Sequence, residues 1–374
     1  MLRLKGAVQH YAWGDRFALP EMLEITADGR PWAEIWYGTH PRGPAHIDES
    51  LHLPAPTYLS DEVGDLPFIV KLLAAAQPLS LQTHPSTARA TEGFARENAA
   101  GIALDAKHRV YADDRAKPEM VIALDSFEAL CGIASREVAL QQCNDAGAIA
   151  LAALVTQHGV AHAVRAVLSG AVSTGSQTAT AELARVDTPS SAMTQLMEHY
   201  DDPRAVVALL MNHVRLAPGE ALYLDAGTVH AYLHGMALEV QGSSDNVMRA
   251  AFTDKHIDLD EFFAVARLDA PAGVGAAGSG TAGGGTAGSG VSDSALVPTE
   301  RISPTTVAYR CGAPFSVMRH ELNGTFALSA TSQHTILVCT SGSAGPLTRG
   351  GAAYVAAGES VALEGTATIY SVSA

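Results

Sequence analysis

The chain has 374 residues, 47% of them hydrophobic and 17% charged, which is enough apolar mass for two or three packed domains and too much for wholesale disorder. Its formal net charge of −15 argues against nucleic acid as a main partner, because a phosphate backbone calls for a basic footprint. A small phosphorylated ligand stays open, since a few local cations suffice for it. The four cysteines, Cys131, Cys143, Cys311 and Cys339, lack C-x-x-C spacing and are too sparse for a disulfide scaffold. With no hydrophobic segment after Met1 and no apolar run of membrane-spanning length, the expectation is a reduced, cytoplasmic protein without a membrane partner, by default a monomer.

The first 60 residues read as short strands and turns, broken by Gly and Pro, with aromatic clusters at Tyr11-Ala-Trp-Gly14 and Trp32-Ala-Glu-Ile-Trp-Tyr-Gly38. Leu66 to Leu73 reads as a buried strand with Lys71 inside it; an inward-pointing lysine there must meet an anion. In Pro78-Leu-Ser-Leu-Gln-Thr-His-Pro85 polar and apolar residues alternate, so Ser80, Gln82 and His84 share one face of an extended strand. Taken alone this stretch is equally a half-solvated edge strand. Residues 86–100 suit a helix. Pro118 biases Lys117 to an extended conformation, which places Lys117 and Glu119 on one face at the entry to an apolar strand.

From about 135 to 211 the composition turns to Ala, Leu, Gln and Glu at helical spacing, with Thr188-Pro-Ser-Ser191 as an N-terminal capping cluster. His158 and His162 are spaced i,i+4, but no Glu follows the first as in a zinc protease helix, so they read as ordinary surface residues. Strands resume at Val214 to Leu224 around a Pro218-Gly219 turn. Asp225 to Ala250 then carries His230, Tyr232, Glu239, Ser244, Asp245, Asn246 and Arg249, with Lys255 beyond, a density of polar groups hard to assign to surface alone. Residues 269–298 contain a Gly/Ser/Thr-rich tract and read as a flexible linker. After it, 299–374 reads as a β-rich unit with short strands at Phe315 to His320, Thr325 to Ala330, Thr335 to Thr340 and Ser360 to Leu363.

Gln82, His84, Glu119 and His230 make a mixed nitrogen and oxygen set on strands, suited to a borderline divalent cation such as zinc. Lys71, Lys117, Arg249 and Lys255 can surround an anionic substrate. These parts suit a metal-assisted reaction on a phosphorylated sugar or polyol. They also leave room for an iron oxygenase, since two His and a carboxylate suit that metal, or for a non-catalytic sugar-binding protein.

The blocks Tyr11-Ala-Trp-Gly14, Ala33-Glu-Ile-Trp36, Pro78 to Pro85, Glu97-Asn-Ala-Ala-Gly101, Lys117-Pro-Glu119, Gly227-Thr-Val-His-Ala-Tyr232 and Ser244 to Arg249, in this order, resemble the type I phosphomannose isomerases of the cupin superfamily. The resemblance covers roughly 5–135 and 214–265. It implies a mainly β fold of two cupin-like jelly-roll modules with an α-helical insertion. The implied division is 1–134 with 212–268 as a discontinuous catalytic domain, 135–211 as the insertion, 269–298 as linker and 299–374 as a second cupin-like unit. It implies one Zn2+ per chain on Gln82, His84, Glu119 and His230, and Arg249 beside the reacting sugar. Lys71 and Lys117 fall at further reactive positions, and Trp13, Ser80, Tyr232, Glu239 and Lys255 at substrate-binding ones. The implied reaction interconverts mannose 6-phosphate and fructose 6-phosphate through an enediol(ate). The chain departs from the family pattern at Gln241-Gly242 and in its Gly-rich linker.

Overall fold

Short alternating segments punctuated by Gly and Pro give strands through most of the chain. The structure, a computed structural model, describes residues 1–48, 57–170, 182–269, 296–329 and 332–374. The Gly-rich tract at 278–290 therefore lies outside the described residues. The first twelve strands are β1 (Leu2–Lys5), β2 (Ala7–Gln9), β3 (Glu34–Tyr37), β4 (His46–Ile47), β5 (Phe68–Ala75), β6 (Leu81–Thr83), β7 (Glu119–Ala123), β8 (Phe127–Ile133), β9 (Met211–Leu216), β10 (Ala221–Leu224), β11 (His230–Gly242) and β12 (Met248–Ala251). The C-terminal strands are β13 (Thr299–Ser303), β14 (Thr306–Tyr309), β15 (Ser316–Leu328), β16 (Thr335–Ala344), β17 (Leu347–Thr348), β18 (Ala352–Val355) and β19 (Val361–Ser373).

One sheet runs β10-β7-β11-β5-β3-β2, with β6, β12, β8 and β9 attached through the first residues of β11. The other runs β13-β14-β15-β19-β16-β18-β1-β4. The chain is thus mainly β, as expected, and neither hydrogen-bonded path closes into a barrel among the described residues. The N-terminal strand β1 and the short β4 pair into the sheet of the C-terminal strands rather than with their sequence neighbours. In the C-terminal unit the strands are longer than the sequence suggests. The segments expected as two strands at 315–320 and 325–330 form the single β15, and β19 continues ten residues past Leu363. Gly324 and Gly365 pair opposite each other, so the glycines that read as breaks sit inside one ladder.

Between β8 and β9 the chain forms the helices Arg136–Asp145, Ile149–His158, Val160–Gly170 and Ser191–His199, followed by a 3-10 turn at Pro203–Leu210. Ser190 caps the fourth of these, its hydroxyl accepting from the Met193 amide. Apolar residues of these helices pack with Leu81, Leu130, Val229, Met248 and Phe252, which braces the strands that carry the site. On the opposite side Val70, Leu72, Met120, Ile122 and Val240 pack against Val317, Ile336, Val338, Tyr354 and Tyr370 of the other sheet.

Strand β11 links the two groupings. Its start pairs with β6 and β8, its end with β5 and β7. A bulge lies between Tyr232 and His234, and Gly235 sits at φ +117. An extra residue flips side-chain parity along a strand. His230 and Tyr232 before the bulge, and Glu239 and Gln241 after it, therefore turn to the same interior.

Candidate active site

Cross-strand register assembles the site. Arg249 opposes Gln82, and Gln82 opposes His230, and directly opposed residues point to one side. In the neighbouring pairing Glu239 opposes Lys71, and Lys71 opposes Trp36. Glu119 lies two residues before Val121, which opposes Glu239, so it faces the same interior.

His84 Nδ1 lies 2.7 Å from the Asn246 carbonyl oxygen and His230 Nδ1 3.0 Å from that of Thr228. Carbonyl oxygens only accept, so each Nδ1 carries the ring proton and each Nε2 presents a lone pair. Those two Nε2 atoms lie 3.3 and 3.4 Å from one oxygen, Glu119 Oε2. His84 Nε2 and Glu119 Oε2 are buried without a hydrogen-bond partner. Burial pushes the His84 pKa down to about 4, so no proton bridges the two atoms at neutral pH. Three converging lone pairs in a dry pocket repel one another and are relieved by a cation. The ligand atoms of His84, Glu119 and His230 all lie within 4.8 Å of one another, as a single metal requires.

Gln82 stands beside this cluster. Its amide nitrogen lies 3.3 Å from His230 Nε2, and its carbonyl oxygen accepts from the Ser80 hydroxyl at 3.1 Å. Turning the amide over brings the carbonyl oxygen to face His230 Nε2, and the Ser80 hydroxyl, which both donates and accepts, satisfies the nitrogen instead. Lys117 Nζ lies 2.8 Å from Glu119 Oε1. Burial alone would raise the Glu119 pKa, but Lys117 and the two histidines hold it well below the carboxylate range.

Beside this set lies a buried chain of charges. Lys71 Nζ is 3.1 Å from Glu239 Oε2 and 3.5 Å from Glu34 Oε1. Glu34 accepts from Trp36 Nε1 at 2.6 Å, and Glu239 Oε1 accepts from the Tyr232 hydroxyl at 2.9 Å. Burial disfavours the Lys71 ammonium, yet Glu239 and Glu34 hold it charged above the usual lysine range. The inward lysine has thus met its anions. Burial raises the Glu239 pKa, partly opposed by Lys71.

The other expected residues stand nearer the edge. Trp13 is half-buried and stacks on Tyr11 at 5.8 Å, and Lys255 Nζ lies 5.8 Å over the same Tyr11 ring. Arg249 and Lys255 share a neighbouring cleft. His158 and His162 lie with ring centroids 4.8 Å apart at the helix surface, with no third ligand among the described residues. Glu34 and Trp36 stand in the segments quoted from the sequence without a role beside Lys71, which they hold, and the backbone carbonyls of Asn246 and Thr228, which orient the histidines, drew no role either. Backbone acceptors leave no residue-type signal. Glu34 had one, a carboxylate two positions before a tryptophan in an apolar strand.

Fold and site together define a metal-dependent enzyme of mainly β architecture, with a His/Glu/His centre and a buried lysine beside it. Residues 1–135 match the phosphomannose isomerase type I catalytic domain. The mannose-6-phosphate isomerase of Salmonella typhimurium is 37% identical over 300 residues, 73% of this chain and 76% of that protein. That of Homo sapiens is 28% identical over 430 residues, 96% of this chain and 94% of that protein. The crystal structure of the Salmonella typhimurium mannose 6-phosphate isomerase bound to its substrate and to zinc matches with a TM-score of 0.82 at 29% identity, covering 100% of this chain and 99% of that one. The chain belongs to the type I phosphomannose isomerases. Neither the iron oxygenase nor the non-catalytic sugar-binding alternative receives support from these matches.

Proposed function

We propose that this chain is a zinc-dependent mannose-6-phosphate isomerase, interconverting mannose 6-phosphate and fructose 6-phosphate by proton transfer through an enediol(ate). The observation that carries the reading is the convergence of the His84, Glu119 and His230 lone pairs beside the buried Lys71, Glu239 and Tyr232. The His230 and Tyr232 rings are only 5.8 Å apart, so a sugar bound at the first group reaches the second.

Gln82, His84, Glu119 and His230 would hold the zinc. Bound there, it supplies a Lewis acid for the carbonyl and hydroxyl oxygens of the open-chain sugar. Arg249, in register with Gln82, faces the same oxygens and opposes the negative charge that develops on them. Lys117 keeps the Glu119 carboxylate ionised and oriented. Lys71, held protonated by two carboxylates, serves as a charged donor rather than as the base. Glu239, with its proton affinity raised by burial, is the group best placed to carry the proton from C2 to C1 on a carboxylate oxygen. The Tyr232 hydroxyl orients that carboxylate. Trp13 forms a wall for the sugar, Ser80 steers the Gln82 amide, and Lys255 meets the phosphate.

Two cupin-like jelly-roll units, the first interrupted by the insertion at 135–211 and the second formed from 299–374 with β1 and β4, fit the two sheets. The four cysteines are free thiols, which supports a reducing, cytoplasmic setting. The roles are tested by metal content and turnover together. His230→Ala loses zinc and activity, whereas Arg249→Ala keeps zinc and loses activity. Near-normal turnover in Arg249→Ala removes that residue from the mechanism.

A further inference from the structure

We infer that Gln241 is a positioning residue for the metal centre. Its buried amide joins the 242–246 loop, which orients His84, to the Lys117-Pro-Glu119 segment, where its oxygen is the second acceptor for the Lys117 ammonium. This role rests on the reading of His84, Glu119 and His230 as metal ligands and deepens it.

Register and close packing place the side chain there. Gln241 opposes Glu119 across the pairing of β11 with β7, and directly opposed side chains point to one side. The next residue, Gly242, donates its amide to the Pro118 carbonyl at 2.9 Å. A Cβ at Gly242 would lie 3.0 Å from Pro118 Cδ and 3.1 Å from the Ala116 carbonyl oxygen, so glycine lets the loop lie directly on the segment that carries Lys117.

Gln241 is 3% exposed, and the two ends of its amide are unequal. Nε2 faces the Gly242 and Ser244 carbonyl oxygens at 3.5 and 3.4 Å. Turning this amide over would set oxygen against two oxygens, so its orientation is fixed. Oε1 is then buried without a hydrogen-bond partner, a costly state for an amide oxygen. Methionine fills a similar volume without that cost, so a glutamine here calls for a donor. Lys117 supplies it. Its side chain is 10% exposed, and Glu119 Oε1 at 2.8 Å takes one of the three ammonium donors. A neutral acceptor at Gln241 keeps the ammonium on Glu119 Oε1 without adding negative charge, which leaves Oε2 turned to the two histidines. At its other end the amide holds the Ser244 carbonyl, two residues before the Asn246 carbonyl that fixes His84 Nδ1. One side chain thus braces the supports of two ligands.

The test is zinc affinity, read by competition with a chelating dye, together with urea unfolding of the zinc-free protein. Gln241→Met should lower zinc affinity about tenfold while the zinc-free urea midpoint does not fall. Gln241→Glu keeps an oxygen acceptor at the same reach and should stay within about threefold of the unmodified affinity. In a Lys117→Met background Gln241→Met should lose most of its effect, the non-additivity expected of two residues in contact. Unchanged affinity in Gln241→Met, an equal loss in Gln241→Glu, or full additivity with Lys117→Met overturns the inference. A lowered midpoint with unchanged affinity marks a merely structural residue and overturns it too. These readouts need no turnover, so a zinc-loaded protein that fails to convert mannose 6-phosphate overturns the reaction proposed above, and affinity still decides the role of Gln241.

Discussion

Replacing Lys71 with methionine removes the one cation between two buried carboxylates. The three side chains are only 6%, 7% and 4% exposed for Lys71, Glu34 and Glu239. At the observed 3.1 and 3.5 Å, each pair attracts by about 5 kcal/mol at an effective dielectric of about 20, before desolvation is subtracted. Net losses on breaking such a buried pair run at about 3–5 kcal/mol, because the remaining charge is left uncompensated. Lys71→Met should therefore lose about 3–5 kcal/mol in urea unfolding of the zinc-loaded protein near neutral pH. The sign of its pH dependence follows from Glu239, whose pKa burial already raises and which the variant deprives of its opposing cation. A carboxyl with a folded pKa above its unfolded value binds more protons when folded, so stability falls as pH rises from the unfolded value through the folded one. The deficit of the variant is thus larger at about pH 8 than at about pH 5. Adding Glu239→Gln should recover part of it, a coupling that a double-mutant cycle reads directly. A Lys71→Met protein within about 1 kcal/mol of the unmodified chain at both pH values would refute the account of this network.

Three further outcomes follow from other parts of the molecule. The fully buried Asn246 side chain bonds to the Ala112 amide and the Asp113 and Arg115 carbonyls, which fixes the backbone carbonyl of Asn246 that orients His84. Asn246→Ala should lower zinc affinity about tenfold to a hundredfold, measured by competition with a chelating dye. Gly235→Ala places a Cβ 2.3 Å from the Ser126 carbonyl oxygen at φ +117. It should cost at least about 2 kcal/mol in urea unfolding, and a neutral result would contradict the bulge geometry. His320 sits 3% exposed between Ser371 and Thr306 hydroxyls, and burial pushes its pKa down to about 4. The unfolded chain then binds the extra proton first, so stability declines as pH falls from about 6.5 to about 4, by about 3 kcal/mol from this group. His320→Gln should flatten that acid limb, and an unchanged limb would remove His320 from it.

The His84, Glu119 and His230 cluster was legible because the chemistry of its residues and their placement on strands coincide: His84 in an alternating stretch, Glu119 after Pro118, His230 two before Tyr232. Lys71 was legible as a condition, since a lysine in an apolar strand either snorkels or finds an anion. Which anions it finds depends on register between strands far apart in sequence, and Glu34 lies 37 residues before it. The parity switch that turns Glu239 inward comes from a bulge, and one extra residue leaves no mark on composition. The helices between β8 and β9 declared themselves through composition and the Ser190 cap. In the C-terminal sheet the polar, Gly-containing strands β15 and β19 read as broken, because their stability comes from pairing with each other along their full length. The docking of β1 onto β18, nearly the whole chain away, is a tertiary choice that local pattern does not encode.

On the function proposed above, one metal held by the His84, Glu119 and His230 cluster with Gln82 serves isomerisation of a phosphorylated sugar. A coupled assay of mannose 6-phosphate conversion to fructose 6-phosphate tests it most directly, run on the protein as purified, after chelation, and after zinc is restored. Activity that falls with the chelator and returns with stoichiometric zinc is the predicted result. A folded, zinc-loaded protein that converts no mannose 6-phosphate, or one whose turnover survives complete loss of metal, would contradict it.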